Sequence, residues 1–294
     1  MELTVVLVNY KCDKKKLNSC LNSISIKTKV LIIDHSHDFT IDDLNIPKNL
    51  NLSIVKKNNL GNGAGINRGF EIAKTRYVLY LDIDTVLPSN FFKELDISLK
   101  KIKKFAVIIP KIDNHYRGLK LFGGLLWWQY FYNKFFFKIK KEILFSNSIN
   151  EIFTGSGVIM LFDKHNTFDD GIIFDEKMFL FFEENEFFHQ CFKANKKIFI
   201  LNNLIGKHYD GSITDKSIKF ECFKKWHWEW SKYYFLNKHY SFYLISIIAL
   251  KNVLVFLIKI LFFFFINKSK FMIYKSRLDG IISYYKNKNS YLRL

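Results

Sequence analysis

Proline is nearly missing from this chain, with three in 294 residues, and 27 acidic residues are outnumbered by 45 lysines and arginines. The proline deficit accompanies an abundance of lysine, asparagine, isoleucine and phenylalanine. That bias fits an AT-rich genome and carries little functional weight. Cysteine is sparse as well: Cys12, Cys20, Cys191 and Cys222. No two of them stand at C-x-x-C or zinc-ligand spacing, so a dithiol motif and a zinc knuckle are excluded. Free thiols in a reducing compartment are expected. The N-terminus, Met1-Glu2-Leu3-Thr4-Val5-Val6, lacks the basic stretch, apolar run and cleavage site of a secretory signal. A cytosolic or membrane-surface location is therefore expected. There is no internal repeat and no G-K-[ST], which excludes a P-loop.

What is present is apolar and basic. Hydrophobic residues make up 49% and charged residues 24%, enough for a packed core and unlike a disordered chain. The length suits one large domain or two modest ones. A formal net charge of +18 points to phosphate groups on a nucleic acid, an anionic lipid or a substrate. From Lys219 to Leu294 the chain holds 14 Lys/Arg against Glu221, Glu229 and Asp279, so this last quarter contributes +11.

Short apolar, β-branched runs at Leu3–Val8, Lys29–Ile33, Leu52–Val55, Tyr77–Leu81 and Ala106–Pro110 predict buried strands. Phe153–Phe162 reads as a further strand, with Gly155 and Gly157 near its start. Helices are predicted over Lys14–Ser25 and Asn90–Lys103, and from the glycine-rich turn Gly61–Gly69 to about Lys74. The 115–150 stretch, with Trp127-Trp128 and Phe135-Phe136-Phe137, resists assignment. Strands alternating with helices imply an α/β sheet buried on both faces. Ligands of such sheets bind beyond the carboxyl ends of the strands, where Asp34 and the Asp82/Asp84 pair fall.

Three constellations carry chemistry. In Leu81-Asp82-Ile83-Asp84-Thr85, carboxylates at i and i+2 of an extended segment point the same way and repel unless a cation lies between them. Hard oxygen ligands suit Mg²⁺ or Mn²⁺, which also bind diphosphates; a solvated turn is the plainer reading. The run Asn59 to Gly69 offers close backbone approach and a helix N-terminus that favours an anion, with Arg68 as a phosphate partner; a structural turn is the alternative. It is no dinucleotide fingerprint, because it follows the third strand and its third glycine falls out of register. Phe182-Glu183-Glu184-Asn185-Glu186 supplies carboxylates for general base work, or simply a charged helix face.

Taken in order, these segments resemble the family-two inverting glycosyltransferases of GT-A fold, especially the rhamnosyltransferase-like branch, over residues 3 to about 240. The likeness rests on Val5-Val6-Leu7-Val8-Asn9-Tyr10, on Ile32-Ile33-Asp34-His35-Ser36, on the Asn59–Gly69 run and on Leu81-Asp82-Ile83-Asp84-Thr85. It continues through Thr154-Gly155-Ser156-Gly157, Phe174-Asp175-Glu176 and Glu183-Glu184. His208-Tyr209-Asp210-Gly211-Ser212 is a looser match. The resemblance implies a Rossmann-like mixed sheet flanked by helices over residues 1–215, then a helical, apolar and basic region over 216–294. It also implies roles. Tyr10 and Asp34 would hold the nucleotide base, Asn67 and Arg68 the ribose and diphosphate, and Asp82 and Asp84 a Mg²⁺ or Mn²⁺ ion. Glu184 would be the catalytic base, and His208 either a metal or diphosphate contact or a structural hydrogen-bonding group. Glu184 and Glu186 stand where the family commonly has Asp, and His35 replaces the usual Asn.

The implied activity is transfer of a sugar, rhamnose being one option, from a nucleotide diphosphate donor to a hydroxyl of a glycan or lipid-linked glycan precursor. Phe242–Ile266 is strongly apolar but interrupted by Lys251, Asn252 and Lys259. Each lysine would cost roughly 2.5–3.5 kcal/mol at the centre of a spanning helix. An interfacial helix on an anionic membrane surface, at the cytoplasmic face, is favoured over a span, and a core helix is a third reading. Trp226, Trp228, Trp230, Tyr233 and Tyr234 suit an interface, or pack the end of the domain. Nucleic-acid binding is disfavoured because the positive charge flanks an apolar segment. An inactive membrane-associated scaffold that kept the fold is the alternative function.

Overall fold

The computed structural model describes residues 2–37, 39–113, 148–209 and 217–291. The unassigned aromatic stretch lies almost wholly outside these, as do Asp210, Gly211 and Ser212. The chain divides into two compact units.

The first unit, Met1–Asn58, Gly65–Ile173 and Phe187–Thr214, is built on a nine-stranded mixed sheet. Its strands are β1 (Leu3–Asn9), β2 (Thr28–Asp34), β3 (Leu50–Lys56), β4 (Tyr77–Leu81), β5 (Thr85–Val86), β6 (Val107–Ile112), β7 (Ile149–Ile152), β8 (Ile159–Asp163) and β9 (Ile198–His208). They run in the order β3-β2-β1-β4-β8-β6-β9-β5, with β7 also on β9. The first four are parallel, and β8 enters antiparallel to β4. From β1 the chain steps outward to β2 and β3, then returns to place β4 on the other flank of β1. That reversal is a topological switch point, where ligands of open α/β sheets bind.

The apolar runs form central strands because both faces are covered. Val5, Val6, Leu7, Leu79 and Leu81 are all buried. Helix α1 (Lys14–Asn22) starts where the Asp13 side chain accepts from Lys15 N at 2.8 Å, an N-cap. It buries Leu17, Cys20 and Leu21 at helical spacing. Helix α3 is Phe91–Lys101. The cysteines are free thiols, and burial pushes Cys20 up to about 12.

Two sequence expectations change. The glycine-rich turn is mostly helix: α2 spans Asn62–Ile72. A Cβ on Gly65 would lie 2.7 Å from Val8 Cγ1, and one on Gly69 would strike Val6. These two glycines, one turn apart, let α2 lie directly on β1. The single strand expected over Phe153–Phe162 is instead β7, a connection holding Gly155 and Gly157, and β8. Periodicity could not see that break, because apolar residues continue through it.

The second unit is Asn59–Ala64, Phe174–Glu186 and Asp215–Leu294. Helix α4 (Glu183–Lys193) begins in it. Its helices are α5 (Ile218–His239), α6 (Phe242–Ile266) and α7 (Lys268–Tyr285). Gly280 allows α7 to approach α5, since a Cβ there would lie 2.5 Å from Trp226 O. The Trp226 indole donates to Asp279 at 2.8 Å, and the Trp230 indole to Lys288 O at 2.8 Å. Glu229 is buried between Arg277, 2.9 Å from its Nε, and Lys232. These tryptophans therefore pack the helices together.

Helix α6 uses a narrow stripe for packing. Ile245, Ala249 and Phe256 are buried, Asn252 donates to Tyr233 OH at 2.7 Å, and the Lys259 ammonium lies 4.7 Å over the Tyr274 ring. The two lysines thus separate: Lys259 is satisfied internally and Lys251 is exposed. The opposite pole carries Ile247, Leu254, Ile258, Leu261 and Phe265, the last 88% exposed.

Candidate active site

At the carboxyl end of β4 the backbone turns at once. Thr85 N donates to Asp82 O at 3.0 Å, closing a turn over Ile83 and Asp84. Asp82 and Asp84 therefore converge through a turn with Ile83 buried, not through strand alternation as the sequence suggested. Tyr80 OH donates to Asp82 Oδ1, fixing that carboxylate. The two-residue strand β5 then pairs antiparallel with the end of β9, setting Thr85 opposite His208. Tyr209 N donates to Asp84 O at 2.9 Å.

This pairing delivers the imidazole. His208 Nε2 lies 3.1 Å from Asp84 Oδ1 and 4.0 Å from Asp82 Oδ2. The three side chains each offer one ligand atom, all within 4.8 Å of one another. Two carboxylates and one imidazole make a donor set that fits a divalent cation of the Mn²⁺ type. His208 is the last residue of β9.

Two strands away, across β1, Asp34 ends β2 in register with Asn9. Its carboxylate is fully buried. Oδ1 accepts from Asn9 Nδ2 at 2.7 Å, Ser36 Oγ at 3.0 Å and Ser36 N at 3.1 Å. Asp34 Oδ2 is buried with no donor among the described residues. A buried carboxylate oxygen in that state has room to accept one further N–H or O–H. Burial lowers the neighbouring His35 imidazole below its ordinary value, outweighing the Asp34 charge. Tyr10 follows β1 in a bend, with Lys11 5.4 Å over its ring. Asn67 is buried on α2, and the Arg68 guanidinium pairs with Glu71 one turn on. Tyr10, Asp34, Asp82 and Asp84 thus share the carboxyl edge of β1, β2 and β4.

In the second unit, Glu183–Glu186 forms the first turn of α4, where acidic side chains complement the helix dipole. Two carboxylates of this turn have opposite electrostatics. Burial raises the Glu184 carboxyl above its ordinary value, with only a backbone hydrogen bond opposing it. Burial also works to raise Glu186, but His239 and Lys238 outweigh it and hold that carboxyl below the ordinary value. Lys238 Nζ lies 2.7 Å from Glu186 Oε1 and 2.7 Å from Asp175 Oδ2, while His239 takes Glu186 Oε2. Tyr234 OH also donates to Asp175, at 2.9 Å. Asn62 N donates to Phe179 O at 3.2 Å, across a turn at Gly61 whose φ is +108°. Sequence reasoning assigned no role to Asn9, Tyr80, Lys238 or His239. Asn9 lay inside a matched segment and Tyr80 stands two residues before Asp82; Lys238 and His239 are joined to their partners only by the fold.

Residues 4–165 match the model of Glycosyl transferase family 2. The chain belongs to that family. Its structure is similar to Staphylococcus aureus TarS 1–349 in complex with UDP-GlcNAc, with a TM-score of 0.53 and 16% identity. That match covers 98% of this chain and 93% of TarS 1–349. It is also similar to GalNAc-T7 with UDP, GalNAc and Mn²⁺, with a TM-score of 0.54 and 17% identity over 80% of this chain and 49% of GalNAc-T7. At these identities the likeness establishes the fold, which is GT-A. No curated protein matches the chain by sequence. Family membership makes the chain a glycosyltransferase, the expected activity class.

Proposed function

We propose that this family-two glycosyltransferase is metal-dependent and inverting, and moves a sugar from a nucleoside diphosphate donor to a hydroxyl of a glycan or lipid-linked glycan precursor. The observation that carries the reading is the convergence of Asp82, Asp84 and His208 within 4.8 Å. Those three residues would hold Mn²⁺ or Mg²⁺, the imidazole favouring Mn²⁺, and the ion would supply positive charge to the diphosphate. Asp34 Oδ2 would accept the ring N–H of the base, with Tyr10 alongside; Asn67 and Arg68 would lie along the ribose and diphosphate. Glu184 would take the proton from the acceptor hydroxyl as that oxygen attacks the anomeric carbon. Burial raises the Glu184 carboxyl, which strengthens it as a base. One displacement inverts the configuration.

The donor is open between uridine and thymidine sugars. UDP-GlcNAc, held by TarS, and dTDP-rhamnose, suggested by the sequence resemblance, are the first two to try. Thermal-shift screening of nucleotide sugars with and without Mn²⁺ tests the reading. A shift that needs both donor and ion is expected. Absence of any shift across uridine and thymidine donors would favour the inactive scaffold.

A second part of the proposal concerns place. Helix α6 is long and apolar enough to cross a membrane, yet one stripe of it packs on its own unit. Lys251 lies roughly 45° to the side of the outer pole at 3.6 residues per turn, where a lysine can reach the headgroups. An in-plane helix at the cytoplasmic face, with Lys268, Lys270 and Lys275 beside anionic lipid, suits this arrangement. Leu254→Glu with Leu261→Glu should abolish flotation with phosphatidylserine vesicles. Undiminished flotation would move the anchor elsewhere.

A further inference from the structure

The turn that carries the acidic motif adopts a backbone its side chains disfavour. Phe181 and Phe182 lie at φ of 66° and 67°, where the Cβ of an L-residue crowds the following carbonyl. They directly precede Glu183, the first residue of α4. Two consecutive bulky residues in this region persist only where their surroundings over-determine them.

Those surroundings come from one face of α5. The Trp228 ring meets Phe181 at 5.3 Å and Phe182 at 5.2 Å, both at 66° between planes. Phe235 lies 6.0 Å from Phe182. Ser231 Oγ donates to Leu180 O at 2.8 Å, and Glu186 N closes the turn onto Phe182 O at 2.9 Å. Trp228, Ser231, Phe235 and Lys238 follow one another at three- and four-residue spacing, which places them on a single helix face. Trp226, Glu229 and Trp230, on the other side, serve α7.

We infer that α5 is a splint for the catalytic base: Trp228, aided by Phe235 and Ser231, holds the left-handed Phe181–Phe182 turn and so fixes the attitude of Glu184. Trp228 is a positioning residue and touches no reacting atom. The inference rests on the reading of Glu184 as the base. It explains why an aromatic residue on α5 is set against two rings while it stays 42% exposed.

The test uses the full chain with UDP-GlcNAc and dTDP-rhamnose, each with Mn²⁺, following release of the nucleoside diphosphate, together with amide hydrogen exchange across residues 180–186. W228A should lower kcat by about 10- to 100-fold, as misplacing a reacting group does, with donor KM changed less than about twofold. Its kcat–pH profile should shift on the acid limb, and exchange across 180–186 should rise while β1 and β4 stay protected. Adding F182G should recover part of the lost kcat, because glycine accepts positive φ without crowding; mere loss of packing would be worsened by that second change. Unchanged exchange in W228A, or a double variant no better than W228A, overturns the splint. Glu184→Gln separates the two ideas. If E184Q is inactive and W228A normal, the splint fails and the base stands. If E184Q turns over normally, the base assignment fails and the splint for it falls too. The exchange measurement needs no donor.

Discussion

The two acidic clusters of this glycosyltransferase are assembled by opposite means. Asp82, Asp84 and His208 stand at the ends of strands in one sheet, where the backbone ladder between β5 and β9 brings the third side chain to the first two. Glu183–Glu186 stands on a turn of unfavourable dihedrals held by side chains of a helix some fifty residues later in the chain, His239 and Lys238 among them. The first is set mainly by main-chain pairing, with Tyr80 holding the Asp82 carboxylate. The second depends on packing, so its carboxylates have environments that a helical second unit sets one by one.

The comparison breaks most visibly at Glu184. Glu184→Gln should lower transfer by about 10²–10⁴-fold, the range of a lost general base, with donor binding by calorimetry largely kept. Asp84→Ala should act on the other cluster instead. The donor-plus-Mn²⁺ thermal shift, worth about 2.7 kcal/mol at a hundredfold excess over Kd, should vanish, and EDTA should do the same to the unaltered protein. An unaltered shift in Asp84→Ala would separate this cluster from any metal. Removing one partner of the buried Glu229 cluster sharpens the packing half: Glu229→Ala should cost about 3–5 kcal/mol by leaving Arg277 and Lys232 without their anion, read by urea denaturation. The strand-end cluster should not register the change in isolation.

The smallest effect is the stability–pH profile, where Glu184 and Glu186 should oppose each other. A carboxyl raised in the folded state binds its proton more tightly there than when unfolded. Its contribution is therefore complete below the ordinary glutamate range and is lost as pH rises through the elevated folded value. Glu184→Gln should remove that decline and raise Tm at neutral pH. Glu186 is depressed, so its contribution is present above the ordinary range and lost as pH falls through the folded value. Glu186→Gln should lower Tm at neutral pH and flatten the acid side. Parallel behaviour of the two variants would contradict the environments described.

Much of the sheet was readable in advance, because buried parallel strands are continuous β-branched runs and β1, β2, β4 and β6 announced themselves that way. The aspartates at their ends were readable for the same reason. Less legible were features whose cause is remote. Glycine permits both open turns and close packing, and the contact of Gly65 and Gly69 with Val8 and Val6 is visible only in the fold. The turn over Ile83 replaced an extended segment without moving either aspartate out of reach. Lys259 was legible only as an interruption of an apolar run, because its partner Tyr274 lies on the next helix. Nothing local to Phe181-Phe182 signals a left-handed turn; its cause is Trp228.

The late position of His208 has a consequence for synthesis. Strand β9 is added between β6 and β5 after the other strands of the described residues have left the ribosome. Until it docks, the nascent chain carries both aspartates but not the imidazole. Any ion that this trio would hold must therefore wait for a nearly finished polypeptide.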